Sequence, residues 1–227
     1  MYNAIRGAIV GKVLPPGSTV TEAQLAKDLG VSKTPVREAL LRLREVGLVQ
    51  ALATRGMKVI EPTREAVVRA YEVRSVLESA TARFAAQRAT SPQRDEIEIA
   101  ASSSLEAARR YDATSFRELD HSFHALVWEA ATNHELQRLA ENAYALTAAL
   151  RAMDAPSGGD SIMCAEQHVV IANAIRQRDD ITAAEVASRH VYDVLSCVMP
   201  PTDGVAGVAV SPPRPRATSR PGEATTD

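Results

Sequence analysis

From Thr63 to Met199 the apolar residues of this chain recur at helical spacing and no glycine appears before Gly158, which restricts the stretch to an all-α unit. Helices are expected near 64–89, 93–111, 114–131, 133–153, 160–178 and 181–199. The breaks between them carry turn and cap residues: Ser91-Pro92, Asp112, Thr132-Asn133, Ala155 to Gly159, and Asp179-Asp180. Short connections make neighbouring helices antiparallel, giving a bundle of about six. After Met199 the composition turns to Pro, Gly, Ser, Thr and Arg, with too little apolar surface to offset ordering, so residues 200–227 are expected to form a disordered tail.

The first 62 residues read differently. Ile5, Ala8 and Ile9 begin a short amphipathic helix, and Pro15-Pro16-Gly17 turns the chain. Thr21 with Gln24 matches a capping box, Leu25 and Leu29 supply an apolar stripe, and Gly30 fits a left-handed stop. Ser32 or Thr34 can cap a third helix, with Pro35 in its first turn and Val36, Ala39, Leu40 and Leu43 on its buried face until Gly47. Leu48 to Leu52 and Met57 to Ile60 read as strands around a Thr54-Arg55-Gly56 tip. Helix, helix, tight turn, helix and two-stranded wing form a winged helix-turn-helix, so the fold class is mainly α with domains 1–62 and 63–199.

Charge is divided along the same line. Residues 1–62 hold 9 Lys/Arg against 5 Asp/Glu, and residues 63–227 hold 17 against 23, a basic head on an acidic body that points to phosphate binding by the head. On a helical wheel Lys33, Arg37 and Arg44 share the outward face of the third helix. Arg37 can donate two parallel hydrogen bonds to guanine, the hydroxyls of Ser32 and Thr34 suit phosphate, and Arg55 with Gly56 can enter a minor groove. A solvated basic face would carry the same charges. The ordered set of elements around it favours operator DNA.

No run of about 18 apolar residues exists and Met1 leads into Tyr2, Asn3 and Ala4, so neither a membrane span nor a signal peptide is expected and the cytoplasm is the default location. Cys164 and Cys197 lie outside any C-x-x-C pair and read as reduced, buried small hydrophobes; a redox-sensing role has no specific support.

In the body, Phe116, Asp120, Phe123, His124, Val127 and Ala131 fall on one stripe. His168 shares a stripe with Cys164, Ile171, Ala172 and Ile175, and His190 with Val186, Val194 and Cys197. One Asp and three His aimed inward make a ligand set for a divalent transition metal of the zinc, nickel or manganese class. Each imidazole by itself reads more readily as a hydrogen-bonded core residue than as a ligand; the four groups together favour the metal. His121 and His134 lie off these stripes and read as surface residues. Arg74 shares a core face with Tyr71 and Glu78, and needs an anion there: either Glu78 as an ion pair, or a ligand carboxylate that Arg74 clamps.

Several stretches resemble the GntR family of bacterial regulators: Leu14-Pro15-Pro16-Gly17, Glu22, Leu25-Ala26, the run Gly30 to Leu40, Gly47-Leu48-Val49 and Arg55-Gly56. The resemblance implies that Lys33, Arg37, Arg55 and Gly56 meet DNA. Lys33 stands where arginine is more usual, and Ala53 where a proline often precedes the wing. Asp120-x-x-Phe123-His124, Asn133 before Leu136, Glu166-x-His168 and His190 resemble the helical FCD ligand-binding domain of the FadR branch. That likeness implies a metal on Asp120, His124, His168 and His190 and an effector pocket lined by the Tyr71-to-Arg74 stretch. Together these likenesses span about residues 5 to 199.

The combined expectation is a ligand-responsive repressor that binds a palindromic operator as a homodimer and senses a small organic acid held by metal and Arg74. The rival is a metal-dependent hydrolase on the helical bundle, for which Glu78 is the one inward carboxylate placed as a base. A DNA-compacting protein conflicts with the acidic body.

Overall fold

The computed structural model describes residues 1–151 and 159–199. The Ala155 to Gly158 break and the tail from residue 200, with its arginines, lie outside the described residues. The head runs α1 (Tyr2–Val10), β1 (Thr19–Val20), α2 (Glu22–Asp28), α3 (Lys33–Glu45), β2 (Val49–Ala51) and β3 (Met57–Val59). The body runs α4 (Arg64–Arg88), α5 (Ser91–Arg109), α6 (Ala113–Ala130), α7 (His134–Leu150), α8 (Gly159–Gln177) and α9 (Asp180–Val198).

Local chemistry fixes the head. Thr21 Oγ1 accepts from Gln24 N at 3.2 Å, while the Gln24 amide turns to Asp28 at 2.6 Å, so the reciprocal half of the capping box is absent. Gly30 and Gly47 stop α2 and α3 in the left-handed region, at φ 66° and 85°. Ser32 caps α3 through its backbone only, leaving its hydroxyl unused by the helix. The sheet has three antiparallel strands in the order β1-β3-β2 where two were expected, with Thr19 opposite Lys58 and Gln50 opposite Lys58. β1 is two residues long, too short to show alternation. It also explains Gly56 at φ 111°: a Cβ there would lie 2.8 Å from the Val20 carbonyl oxygen.

The bundle is chained by side-chain caps. Asp112, Asn133 and Asp179 each accept from a backbone N–H three residues on, and Thr90 with Gln93 forms a complete capping box that spans Pro92. Immediately before three of these caps, Tyr111, Thr132 and Arg178 take positive φ near 50–58°. A cap residue following a left-handed turn thus reverses the chain without glycine.

The core is uneven. Around Ile97, Phe123, Val127, Ile171 and Ile175 the packing is mostly alanine, including Ala82, Ala85, Ala86, Ala183 and Ala187. Alanine faces let α4, α5, α8 and α9 approach closely and leave little room for larger groups. The aromatic and polar bulk lies elsewhere, with Tyr71, Phe116, Trp128 and Tyr144 around a polar interior. α7 serves both parts: Ala149 sits in the head's core with Ile9, Leu40 and Leu43. Arg6 reaches Glu141 at 2.6 Å, Tyr2 donates to Asn142 at 3.3 Å, and Lys12 Nζ donates to the carbonyls of Ala149 and Arg151. Ala85 is fully buried, so Ala85→Leu is expected to overpack the alanine face and lower stability by about 1–3 kcal/mol, read as a reduced urea midpoint at unchanged slope.

Candidate nucleic-acid interface and buried polar chamber

α3 and the wing tip meet in a cleft of about 260 Å³ whose walls include Lys33, Arg37, Arg55 and Gly56, with Glu22 and Thr21 from the start of α2. Ser32, Thr34 and Arg44 are exposed along α3 outside that cleft. Arg37 is held. Its Nε and Nη2 donate to the two Glu22 carboxylate oxygens at 3.0–3.1 Å, a fork-on-fork pair spanning two helices. The bond lowers the Glu22 carboxyl below its usual value and raises Arg37 further. Glu22 was part of the sequence motif, but nothing in its spacing announced this partnership. Arg42, one turn before Val46, faces the other way and stacks over the Tyr2 ring at 4.6 Å.

Five helices deliver side chains to one buried polar chamber in the body. α4 gives Tyr71, Arg74 and Glu78; α6 gives Asp120, His124 and Trp128; α7 gives Tyr144 and Thr147; α8 gives Cys164 and His168; α9 gives His190. Arg74 Nε donates to Glu78 at 3.3 Å, Nη1 to Thr147 at 3.4 Å, and Nη2 lies 3.2 Å from His124 Nε2. Its guanidinium also sits 4.5 Å from the Tyr144 ring centre. Glu78 accepts from Trp128 Nε1 at 2.9 Å and meets His124 Nδ1 at 3.3 Å. Burial works to raise the Glu78 carboxyl, but His124, Arg74 and Trp128 together hold it down at about 2. A carboxylate so stabilised is a poor proton acceptor, which disfavours Glu78 as the base of a hydrolase.

The three histidines converge. Ring nitrogens of His124, His168 and His190 lie within 4.8 Å of one another, as do ligand atoms of Asp120, Cys164 and His168. Asp120 thus joins through His168, at 3.6 Å, while its other oxygen accepts from the Tyr144 hydroxyl at 2.6 Å. Burial works to raise the Asp120 carboxyl, but His124, His168, Arg151 and Tyr144 outweigh it and keep it below the carboxylate range. Burial pushes His168 down to about 3, against the opposing pull of Asp120, and pushes His190 well below its ordinary value. Both imidazoles are therefore neutral near pH 7.

His190 Nδ1 lies 3.0 Å from Gln167 Oε1, and among the described residues its Nε2 is the one buried side-chain polar atom without a partner. An Nδ1–H donated to Gln167 leaves the Nε2 lone pair facing the cluster, the tautomer that metal ligation requires. His168 has a comparable outer bond, Nδ1 to Ser104 Oγ at 3.2 Å. The Cys164 thiol approaches Asp120 and His168 at 3.8 and 4.0 Å, and burial raises its pKa, so it stays protonated. Cys197 is only half-buried and outside the cluster. Glu166 is exposed and paired with Arg109 at 3.8 Å. His121 and His134 are exposed, although His121 packs its ring edge-on to Tyr144 at 5.3 Å. Periodicity found the histidines and Asp120 but missed Trp128, Tyr144, Ser104 and Gln167, whose stripe positions read as ordinary core or surface.

Residues 1–59 match the model of the gntR family of bacterial regulatory proteins, and residues 69–193 match the FCD domain. The chain is 31% identical over 196 residues to a probable D-xylose utilization operon transcriptional repressor of Paenarthrobacter nicotinovorans, covering 85% of this chain and 84% of the relative. It is 29% identical over 198 residues to the HTH-type transcriptional repressor RspR of Escherichia coli (strain K12), covering 87% of each. Among solved structures, McbR/YncC of E. coli has the same fold at 19% identity, with a TM-score of 0.72 over 87% of this chain and 94% of that one. With a recognition-domain model and an FCD model matched in order, the chain belongs to the GntR family of bacterial regulatory proteins and is a DNA-binding transcription regulator, not an enzyme.

Proposed function

We propose that this regulator is a cytoplasmic repressor that binds a palindromic operator as a homodimer and releases or tightens it in response to a small organic acid held in a metal-dependent pocket. The observation that carries the pocket is the orphaned Nε2 of His190 beside His124 and His168. Leaving a buried nitrogen unbonded costs about 1–3 kcal/mol, a cost that a metal ion would remove. In this reading Asp120, His124, His168 and His190 hold a zinc, nickel or manganese ion. When bound, the ion supplies a Lewis-acidic centre for a carboxylate oxygen. Gln167 and Ser104 orient two of the imidazoles, and the neutral state of His168 and His190 keeps their lone pairs available.

Arg74, with Tyr71 and Glu78 on the same helix, is the proposed clamp. Its present ties to Glu78, His124 and Thr147 are each 3.2–3.4 Å, long for charge-assisted bonds, so a ligand carboxylate would offer it a shorter one. For the homodimer, the supporting feature is the outer face of α4, where Val73 and Val76 are more than half exposed beside a groove that includes Leu139 and Leu146. Repression follows the printed names of the two relatives above. The division into a 1–62 recognition domain, a 63–199 sensing domain and a 200–227 tail completes the proposal.

On the DNA side, Lys33, Arg37, Arg55 and Gly56 are proposed to contact the duplex, with Ser32, Thr34 and Arg44 on phosphate. Glu22 orients the Arg37 fork, and because the Arg37 side chain is itself exposed the pair can exchange for guanine. α7 links the two functions: it carries Tyr144 and Thr147 into the chamber and offers Glu141, Asn142 and the Ala149 and Arg151 carbonyls to the head.

Three outcomes are expected. Arg37→Ala lowers operator affinity roughly 10–100-fold and flattens the sequence preference recovered from a random duplex library, the loss of one bidentate base contact; an unaltered preference would refute the assignment. Metal analysis of the purified protein finds about one transition ion per chain, and His190→Ala or chelator treatment removes it together with the calorimetric response to carboxylates. Lys12→Met leaves metal content and effector affinity as in the parent but reduces the effector-induced change in operator affinity measured by fluorescence anisotropy.

A further inference from the structure

The chamber is bordered by a second buried guanidinium that the sequence reading did not single out. Arg151, directly after α7, is 8% exposed, and its Nε donates to the Tyr71 hydroxyl at 3.0 Å. Arg74 has Glu78; among the described residues Arg151 has no ion-pair partner. Tyr71 lies about one helical turn before Arg74 on α4, so Arg151, coming from the end of α7, bonds to α4 next to the turn that carries Arg74. Arg74 sits over the Tyr144 ring, and Tyr71, the partner of Arg151, belongs to the same packed cluster as Cys164, which places both guanidiniums beside one interior. Among the described residues the Nη groups of Arg151 have no hydrogen-bond partner, so they are available to an anion.

The charge balance points the same way. Among the described residues the buried arginines, Arg74 and Arg151, are matched by the buried carboxylates, Glu78 and Asp120. Imidazoles that ligate a metal are neutral. A divalent ion on the histidine cluster would therefore add two positive charges beyond what the buried carboxylates of the described residues offset. One carboxylate neutralises half of that.

We propose that the effector is a small dicarboxylate, one carboxylate at the histidine cluster and the other received by the Nη groups of Arg151 with the Tyr71 hydroxyl beside it. The inference rests on the organic-acid reading above and narrows it from acids in general to dianions. It also gives Arg151 two roles through different atoms, because Lys12 of the head grips its backbone carbonyl. Occupation of the side chain by ligand thus bears on a residue that the recognition head holds directly.

The test is calorimetry on the full chain loaded with zinc, titrated with malonate, succinate and glutarate and with the monomethyl ester of each, which keeps the shape and removes one charge. At least one diacid is expected to bind about 30-fold or more tightly than its ester, the effect of one charge-assisted contact. Arg151→Gln is expected to reduce the diacid to the affinity of the ester while leaving the ester's affinity and the zinc content unchanged. Arg151→Lys, which keeps the charge, is expected to retain a reduced preference, and serves as the reading if the glutamine variant does not fold. Equal binding of diacid and ester to the parent chain, or equal losses for both in the variants, would overturn the dianion inference and leave the organic-acid reading standing. Binding of neither class to the zinc-loaded chain would overturn both.

Discussion

A guanidinium and a carboxylate buried one turn apart on α4 set the terms for the whole body of this regulator. Neither Arg74 nor Glu78 reaches water, and breaking such a pair costs about 3–5 kcal/mol, so neighbouring helices must present groups that complete the pair's bonding. α6 answers with His124 and Trp128, and α7 with Thr147 and the ring of Tyr144. Hydrogen bonds are directional where alanine packing is not. The alanine-rich end brings the helices close, and the polar end fixes how far each one is rotated and slid along its neighbours. A chamber whose described histidines and ion pair all come from helices can therefore be precise.

The head solves a different problem with weaker forces. The Arg37 side chain is exposed, so its fork with Glu22 adds little to stability, yet the two parallel bonds fix the direction of a long side chain. The wing tip is organised by backbone: β1 lies against β3, and Gly56 is required because Val20 occupies the space a side chain would fill. Glycine at this position is thus accounted for by packing within the head, independently of any approach to DNA.

Much of this was legible in the amino-acid order, and the boundary of legibility is physical. Helical period and cap chemistry placed the six body helices to within a few residues over the described stretches, and the inward stripes identified Asp120, His124, His168 and His190 as core-facing. Periodicity reports which face is buried and says nothing of what lies opposite. That is why the Arg74–Glu78 alternative, one turn apart on a single helix, was readable, whereas Tyr144 on Asp120, Gln167 on His190 and Glu22 on Arg37 were not. β1 escaped because two residues carry no alternation, and Arg151 because a cation at a helix C-terminus ordinarily signals dipole compensation and solvent.

The placement of Ala149 among Ile9, Leu40 and Leu43 has a bearing on how regulators of this architecture can be recombined. A chimera joined at Pro62 would transplant a recognition head without the turn of α7 that plugs its underside, exchanging a fitted methyl group for whatever the recipient body carries there. Grafts intended to pair one operator with another sensor would need to move that final turn, and the lysine that grips it, along with the N-terminal sequence.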